Sequence, residues 1–235
     1  MRSSWYNAVL TLDEPVLPNA VSMNLPPSRL SPDRVSEAFA AYLEEGGDHR
    51  DNYWGMILGG DKGACQYTDD DWQNLAQAMN ALAKKNKIKW LVLTTRFTSK
   101  DATDSLLAGL KSRYLESINS YSQRLDDPLP LLAARAQGIY CSFEQLPILF
   151  DVIASGCPAI ALMPELAHPN RQIRQFFSVL RQERLLSVAS IAELAEARMA
   201  RPARPLPDLL KRKRQQLFEQ WSAHCPASMM ATQRH

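Results

Sequence analysis

The chain has no apolar run near the roughly 18–20 residues that a membrane-crossing helix needs, so no such helix is expected. Residues 1–4 lead into only a short mixed segment before Asp13 and Glu14, which lacks the apolar core of a secretory signal. Neither sign of charge is in excess. Lys and Arg number 27 against 25 Asp and Glu, and the net charge of +2 is too small to argue for nucleic acid. The four cysteines, Cys65, Cys141, Cys157 and Cys225, form no C-x-x-C pair, which argues against a zinc ribbon and a thioredoxin-like motif. Cys141 and Cys157 lie in apolar surroundings and read as buried thiols, and the set suits a reducing, cytoplasmic location. His49, His168, His224 and His235 show no metal-ligand spacing, and no G-x-S-x-G is present, so neither a metal site nor a hydrolase serine is expected. No internal repeat is visible.

Apolar residues make up 46% of the 235, a globular share that supports a sizeable core. Short apolar runs alternate with helical patterns along the middle of the chain. Residues 53–58 predict a strand, and Trp72, Leu75, Met79 and Leu82 recur at helical spacing over 69–84. Further strands are expected at 89–95, 117–122, 138–142 and 159–163. Helices are expected at 103–114, at 128–137, and at 144–155 with an interruption at Pro147. Upstream, a strand over 5–12 precedes an irregular connection over 13–32. Ser31-Pro32 then begins a helix that Gly46-Gly47 ends. After Pro164 only helices are expected, at 170–184, 190–200 and 207–221.

Near-continuous apolar strands separated by helices are the pattern of a parallel sheet covered on both faces. The fold class is therefore α/β, a Rossmann-like doubly wound sheet with a helical C-terminal extension. The expected division is an N-terminal strand, loop and helix over 1–52, a ligand-binding domain over 53–185, C-terminal helices over 186–225, and a disordered tail over 226–235.

The run Gly59-Gly60-Asp61-Lys62-Gly63-Ala64 follows one strand and precedes the helix start at Thr68. Strand, glycine turn and helix let backbone amides and a helix N-terminus hold an anion, and glycine tolerates both positive φ and close approach of a ligand. The same residues also suit a plain tight turn. Two more turns belong at the same sheet edge, Thr94-Thr95-Arg96-Phe97-Thr98 and Ser142-Phe143-Glu144-Gln145-Leu146-Pro147. Lys62 and Arg96 suit a diphosphate, and Glu144 or Asp151 suits ribose or sugar hydroxyls. Taken singly, each of these residues reads better as solvated surface or a helix cap, and it is their coincidence at one sheet edge that raises the functional case.

The stretch from Asp151 through Ala154-Ser155-Gly156-Cys157-Pro158 to Pro164 resembles the nucleotide-sugar-binding half of GT-B glycosyltransferases. The glycine turn is similar to that of the peptidoglycan N-acetylglucosaminyltransferase group. The order of motifs more closely resembles the "elongated mitochondria" family of plants and its bacterial relatives. It runs from Leu10-Thr11-Leu12-Asp13 and Asn19-Ala20-Val21, through Ile57-Leu58-Gly59-Gly60-Asp61 and Leu93-Thr94-Thr95-Arg96, to Ala154-Ser155-Gly156-Cys157-Pro158. The likeness implies a nucleoside diphosphate or nucleotide sugar as ligand and no cofactor. The residues implied to bind it are Gly59, Gly60, Asp61, Lys62, Gly63, Ala64, Thr95, Arg96, Ser142, Phe143, Glu144, Gln145 and Asp151. Two stretches depart from the family pattern: relatives usually carry an Asp-Ser or similar pair where this chain has Phe143-Glu144-Gln145, and Glu at Asp151. The resemblance also implies an acceptor site and catalytic base on an N-terminal domain, supplied by a partner polypeptide or lost by truncation. Within the chain, Asp13 is the best candidate base, ahead of Glu14 and His49. A non-catalytic relative working in a complex is the alternative.

Lys211-Arg212-Lys213-Arg214 lies on a helix whose other side carries Leu206, Leu210, Leu217 and Trp221. A docked helix with a solvated basic face is expected. Contact with an anionic membrane surface, such as the inner membrane, is the lesser alternative.

Overall fold

The computed structural model describes residues 9–11, 19–22, 28–48, 52–120, 127–196 and 206–223. A short parallel pair, β1 (Val9–Thr11) and β2 (Ala20–Ser22), precedes helix α1 (Pro32–Glu44). Ser31 caps α1, accepting from the Arg34 amide, with proline at the first helical position. There follow β3 (Tyr53–Leu58), β4 (Cys65–Gln66), α2 (Asp69–Asn86), β5 (Lys89–Thr94), α3 (Lys100–Gly109), β6 (Leu115–Ser120), α4 (Leu129–Arg135), β7 (Ala136–Ser142), α5 (Leu146–Ser155) and β8 (Ala159–Met163). The chain continues through β9 (Leu166–Ala167), α6 (Arg171–Gln182), β10 (Ser187–Ser190) and α7 (Leu206–Ser222).

Six strands form one parallel sheet in the order β10-β8-β7-β3-β5-β6. Taken in chain order, these are strands 3-2-1-4-5-6 of a doubly wound Rossmann-like sheet. The period of two along each strand splits the core in half. Ile57, Leu91, Leu93, Ile139, Cys141 and Ala161 face one layer, built from α4, α5, α6 and Leu210 of α7. Met56, Leu58, Trp90, Val92, Tyr140 and Ile160 face the other, built from α2 and α3. Full burial of a Leu or Met side chain contributes about 1.5–3 kcal/mol, so the α2 stripe of Leu75, Met79 and Leu82 is a principal anchor of that layer.

α7 is docked. Arg214 Nη2 donates to the Ala154 carbonyl at the end of α5 (3.0 Å), and Lys213 pairs with Glu183 (3.0 Å). Lys211 and Arg212 stay exposed. No described helix is long and apolar enough to cross a membrane.

Several expectations need correction. β2 lies inside the connection expected to be irregular. Strands continue after Pro164, and of the helix expected at 190–200, Ser190 ends β10 and residues 191–196 form a turn, while 197–200 lie outside the described residues. Arg184, in the left-handed region at φ 55°, ends α6 and turns the chain into β10. β10 has only four residues and one sheet neighbour, too short for an alternation to declare itself. Pro147 does not interrupt α5; it occupies the first turn, where its missing N–H costs nothing. α3 starts at the Ser99 cap and stops at Gly109, short of the expected 114. The tail from 226 lies outside the described residues.

Candidate functional site

The strand order reverses between β3 and β7, and a parallel sheet of this kind opens a crevice at the carboxyl ends of two such strands. The three turns singled out in the sequence meet there. Leu58, the last residue of β3, accepts through its carbonyl from the Thr95 amide (3.1 Å) and the Thr98 hydroxyl (2.8 Å). The Gly59 amide donates to Ser142 Oγ (2.9 Å), and the Gly60 amide to Glu144 Oε1 (3.0 Å). Close backbone approach requires Gly60, whereas a Cβ on Gly59 would meet only the ends of the Glu144 and Gln145 side chains. A Cβ on Gly59 would stand 1.5 Å from Glu144 Oε1, and one on Gly60 would stand 2.0 Å from the Phe97 carbonyl oxygen.

The expected single turn over 59–64 is two structures. Gly59, Gly60 and Asp61 run along the sheet edge, where Asp61 Oδ1 accepts from the Tyr67 amide (2.8 Å). Lys62 and Cys65 then exchange backbone hydrogen bonds around Gly63 and Ala64. Gly63 has φ +60° at the first central position of this tight hairpin turn, and open space lies beside it. The ribbon continues as β4, which pairs antiparallel with β9, and the His168 amide donates to the Ala64 carbonyl (2.8 Å).

The helix N-terminus expected to help hold an anion is already satisfied. Thr68 and Asp71 form a reciprocal capping box, and Asp69, Asp70 and Asp71 fill the first turn of α2. Three carboxylates there complement the helix dipole and repel a second anion.

Glu144 is the electrostatic centre of the cleft. It is buried, yet among the described residues no lysine or arginine pairs with it. Its donors are the Gly60 amide, the Tyr67 hydroxyl to Oε2 (2.8 Å) and Gln145 Nε2 to Oε1 (3.3 Å). Burial raises its carboxyl above the usual range, and these hydrogen bonds oppose the rise. Burial and the Glu144 charge push the Cys65 thiol up to about 12 and raise Tyr67 and Cys141 as well, so these groups stay protonated at neutral pH.

Lys62 and Arg96 both lie on the Phe97 ring, with Nζ 4.5 Å and Cζ 4.7 Å from its centroid. Neither pairs with a carboxylate among the described residues. Thr95 and Thr98 use their hydroxyls to close the turn that carries Arg96. Phe143 points into the core and stacks on Phe177 at 4.3 Å. Asp151 accepts from the Ser28 hydroxyl (2.5 Å) and the Arg29 amide (3.2 Å), fastening the segment before α1 to α5. Asp13 lies outside the described residues, as do Glu14 and His49.

Tyr67 and Phe97 were not among the expected site residues. Tyr67 had a legible signal. It stands just before the Thr68 cap and stacks at 4.7 Å on Trp72, four positions into the helix, which is a hydrophobic staple. That staple fixes the ring whose hydroxyl reaches Glu144.

No curated protein matches the chain. Among solved structures it is similar to a glycosyl transferase family 9 protein from Veillonella parvula, at 12% identity and a TM-score of 0.45, covering 81% of this chain and 53% of that one. It is also similar to the ADP-heptose LPS heptosyltransferase II of E. coli, at 15% identity and a TM-score of 0.39, covering 90% and 56%. A third is the UDP-forming α,α-trehalose-phosphate synthase of Burkholderia vietnamiensis, at 14% identity and a TM-score of 0.41, covering 91% and 51%. The chain thus spans about half the length of these structures. The family model for mitochondrial fission ELM1 matches residues 9–211, the whole parallel sheet and the start of α7 included, and the chain belongs to that family.

Proposed function

We propose that the chain is a glycosyltransferase-like protein that binds a nucleoside diphosphate or nucleotide sugar in the β3–β7 crevice, and that it needs groups from elsewhere for sugar transfer. The observation that carries this reading is the pair of cations, Lys62 and Arg96, gathered on Phe97 beside Gly60 with no carboxylate partner among the described residues. Two converging cations next to backbone amides suit a diphosphate. A thermal-shift panel of nucleoside diphosphates and nucleotide sugars tests it. Ligand at 100 times its dissociation constant stabilises the fold by about 2.7 kcal/mol. Lys62→Ala and Arg96→Ala should each weaken binding roughly tenfold or more, since a hydrogen bond to a charged group contributes about 1.5–3 kcal/mol. A panel with no shift at millimolar ligand overturns the reading.

A second reading is a non-catalytic relative acting in a complex with a partner protein. Asp151 supports it, because that carboxylate is already engaged by Ser28 and Arg29. Purified protein incubated with labelled nucleotide sugars and an envelope extract is expected to show no transfer. Robust transfer that disappears in Asp13→Asn would show the chain to be a complete enzyme.

A further inference from the structure

The glycine turn already holds an anion, and the anion belongs to the protein. Glu144 accepts from the Gly60 amide, lies against Gly59 where a Cβ would fall, and is held from the far side by the Tyr67 hydroxyl. Tyr67 is in turn fixed by its stack on Trp72 and by the hydrogen bond its backbone amide donates to Asp61 Oδ1. A phosphate oxygen seeking the Gly60 amide meets a carboxylate in the same place, and two like charges do not share one donor. The cations of the crevice do not neutralise Glu144, because Lys62 and Arg96 rest on Phe97.

We propose that Glu144 is the specificity-determining residue of the crevice, a carboxylate latch that an anionic ligand must displace from Gly60 before it binds. The proposal rests on the diphosphate reading of the site given above. It assigns Tyr67 as the positioning residue that keeps the latch closed. Affinity for a diphosphate in the wild-type protein is therefore set by the ease of displacing Glu144 as much as by Lys62 and Arg96.

The test is calorimetric titration of the full chain with inorganic pyrophosphate at pH 8, using wild type, Glu144→Gln, Tyr67→Phe and each of these combined with Arg96→Ala. Glu144→Gln is isosteric and removes the charge. Tyr67→Phe keeps the staple ring and removes only the hydroxyl, so it carries the test if Glu144→Gln does not fold. Both single variants should bind at least tenfold more tightly than wild type, and Arg96→Ala should reverse the gain. Unchanged affinity in both, with Arg96→Ala still weakening wild type, would refute the latch and leave the anion site standing. No binding by any variant would refute the site and the latch together.

Discussion

Replacing Gly60 by alanine sets a new Cβ 2.0 Å from the Phe97 carbonyl oxygen and 2.8 Å from its carbon. Real Cβ atoms essentially never come closer than 3.0 Å to such atoms, and both are backbone, so neither can swing aside. The sheet edge must part by roughly 1 Å between the end of β3 and the turn after β5, a strain of the overpacking kind that costs about 1–3 kcal/mol. The movement also stretches the 3.0 Å bond from the Gly60 amide to Glu144. A hydrogen bond to a charged group contributes about 1.5–3 kcal/mol, which brings the expected loss to about 2.5–6 kcal/mol. For a chain of this size each kcal/mol lowers Tm by about 2–4 °C, so the Tm of Gly60→Ala should fall by roughly 5–24 °C in scanning calorimetry. Gly63→Ala is the control. Its φ of +60° is unfavourable for alanine, but nothing lies within 4 Å of the new methyl. A left-handed residue costs about 1–2 kcal/mol, hence a drop of only roughly 2–8 °C. A Gly60→Ala protein melting within about 1 °C of wild type, or no lower than Gly63→Ala, would refute the close-approach reasoning.

Other perturbations address charge, ligand and docking. Burial raises the Glu144 carboxyl above its unfolded value near 4.3, so the protonated form favours folding: this contribution is full below about pH 4.3 and is lost as pH rises through the folded pKa. The stability of wild type relative to Glu144→Gln, read from urea midpoints, should therefore decline between pH 4.5 and pH 8. A pH-independent difference would contradict the burial argument. Gly63→Val should abolish nucleotide binding with a modest stability loss, and equal affinity of wild type and variant by calorimetry would remove Gly63 from the site. Arg214→Ala leaves the Ala154 carbonyl without this donor and should cost about 1–3 kcal/mol, whereas exposed Lys211→Ala should stay within about 0.5 kcal/mol. Equal losses in the two would mean that α7 is not held by Arg214.

The sheet interior was legible because its strands are apolar on both faces. β3, β5 and β8 begin where expected, and β7 begins two residues early. The helices declare themselves through caps, as with Ser31 for α1 and Thr68 for α2. What escaped were short strands whose pairing is decided by distant neighbours. β4 and β9 have two residues each, and nothing local in Cys65-Gln66 or Leu166-Ala167 marks them as partners. At the crevice, residue types were readable but allegiances were not. Glu144, expected to contact a ligand's hydroxyls, accepts from the protein's own Gly60 amide. Asp151, for which the same contact was expected, accepts from Ser28 and Arg29. Which donor a buried carboxylate meets is fixed by backbone placement across the fold, and a linear pattern of acids and glycines does not encode that.

The antiparallel clasp of β4 on β9 has a consequence for the order in which the molecule assembles. It joins the segment that leaves β3 to the segment that leaves β8, strands separated in the sheet by β7. Cys65 and Ala167 are far apart in the chain, and the entropy of closing so long a loop is repaid only after the intervening strands have found their register. The clasp should thus be among the last contacts formed and among the first to open. Few hydrogen bonds hold it, which places its opening well below global unfolding in free energy. In native-state hydrogen exchange, the amide of His168, which donates across the clasp to the Ala64 carbonyl, should exchange faster than those of Ile57 and Cys141 in the strands beneath it.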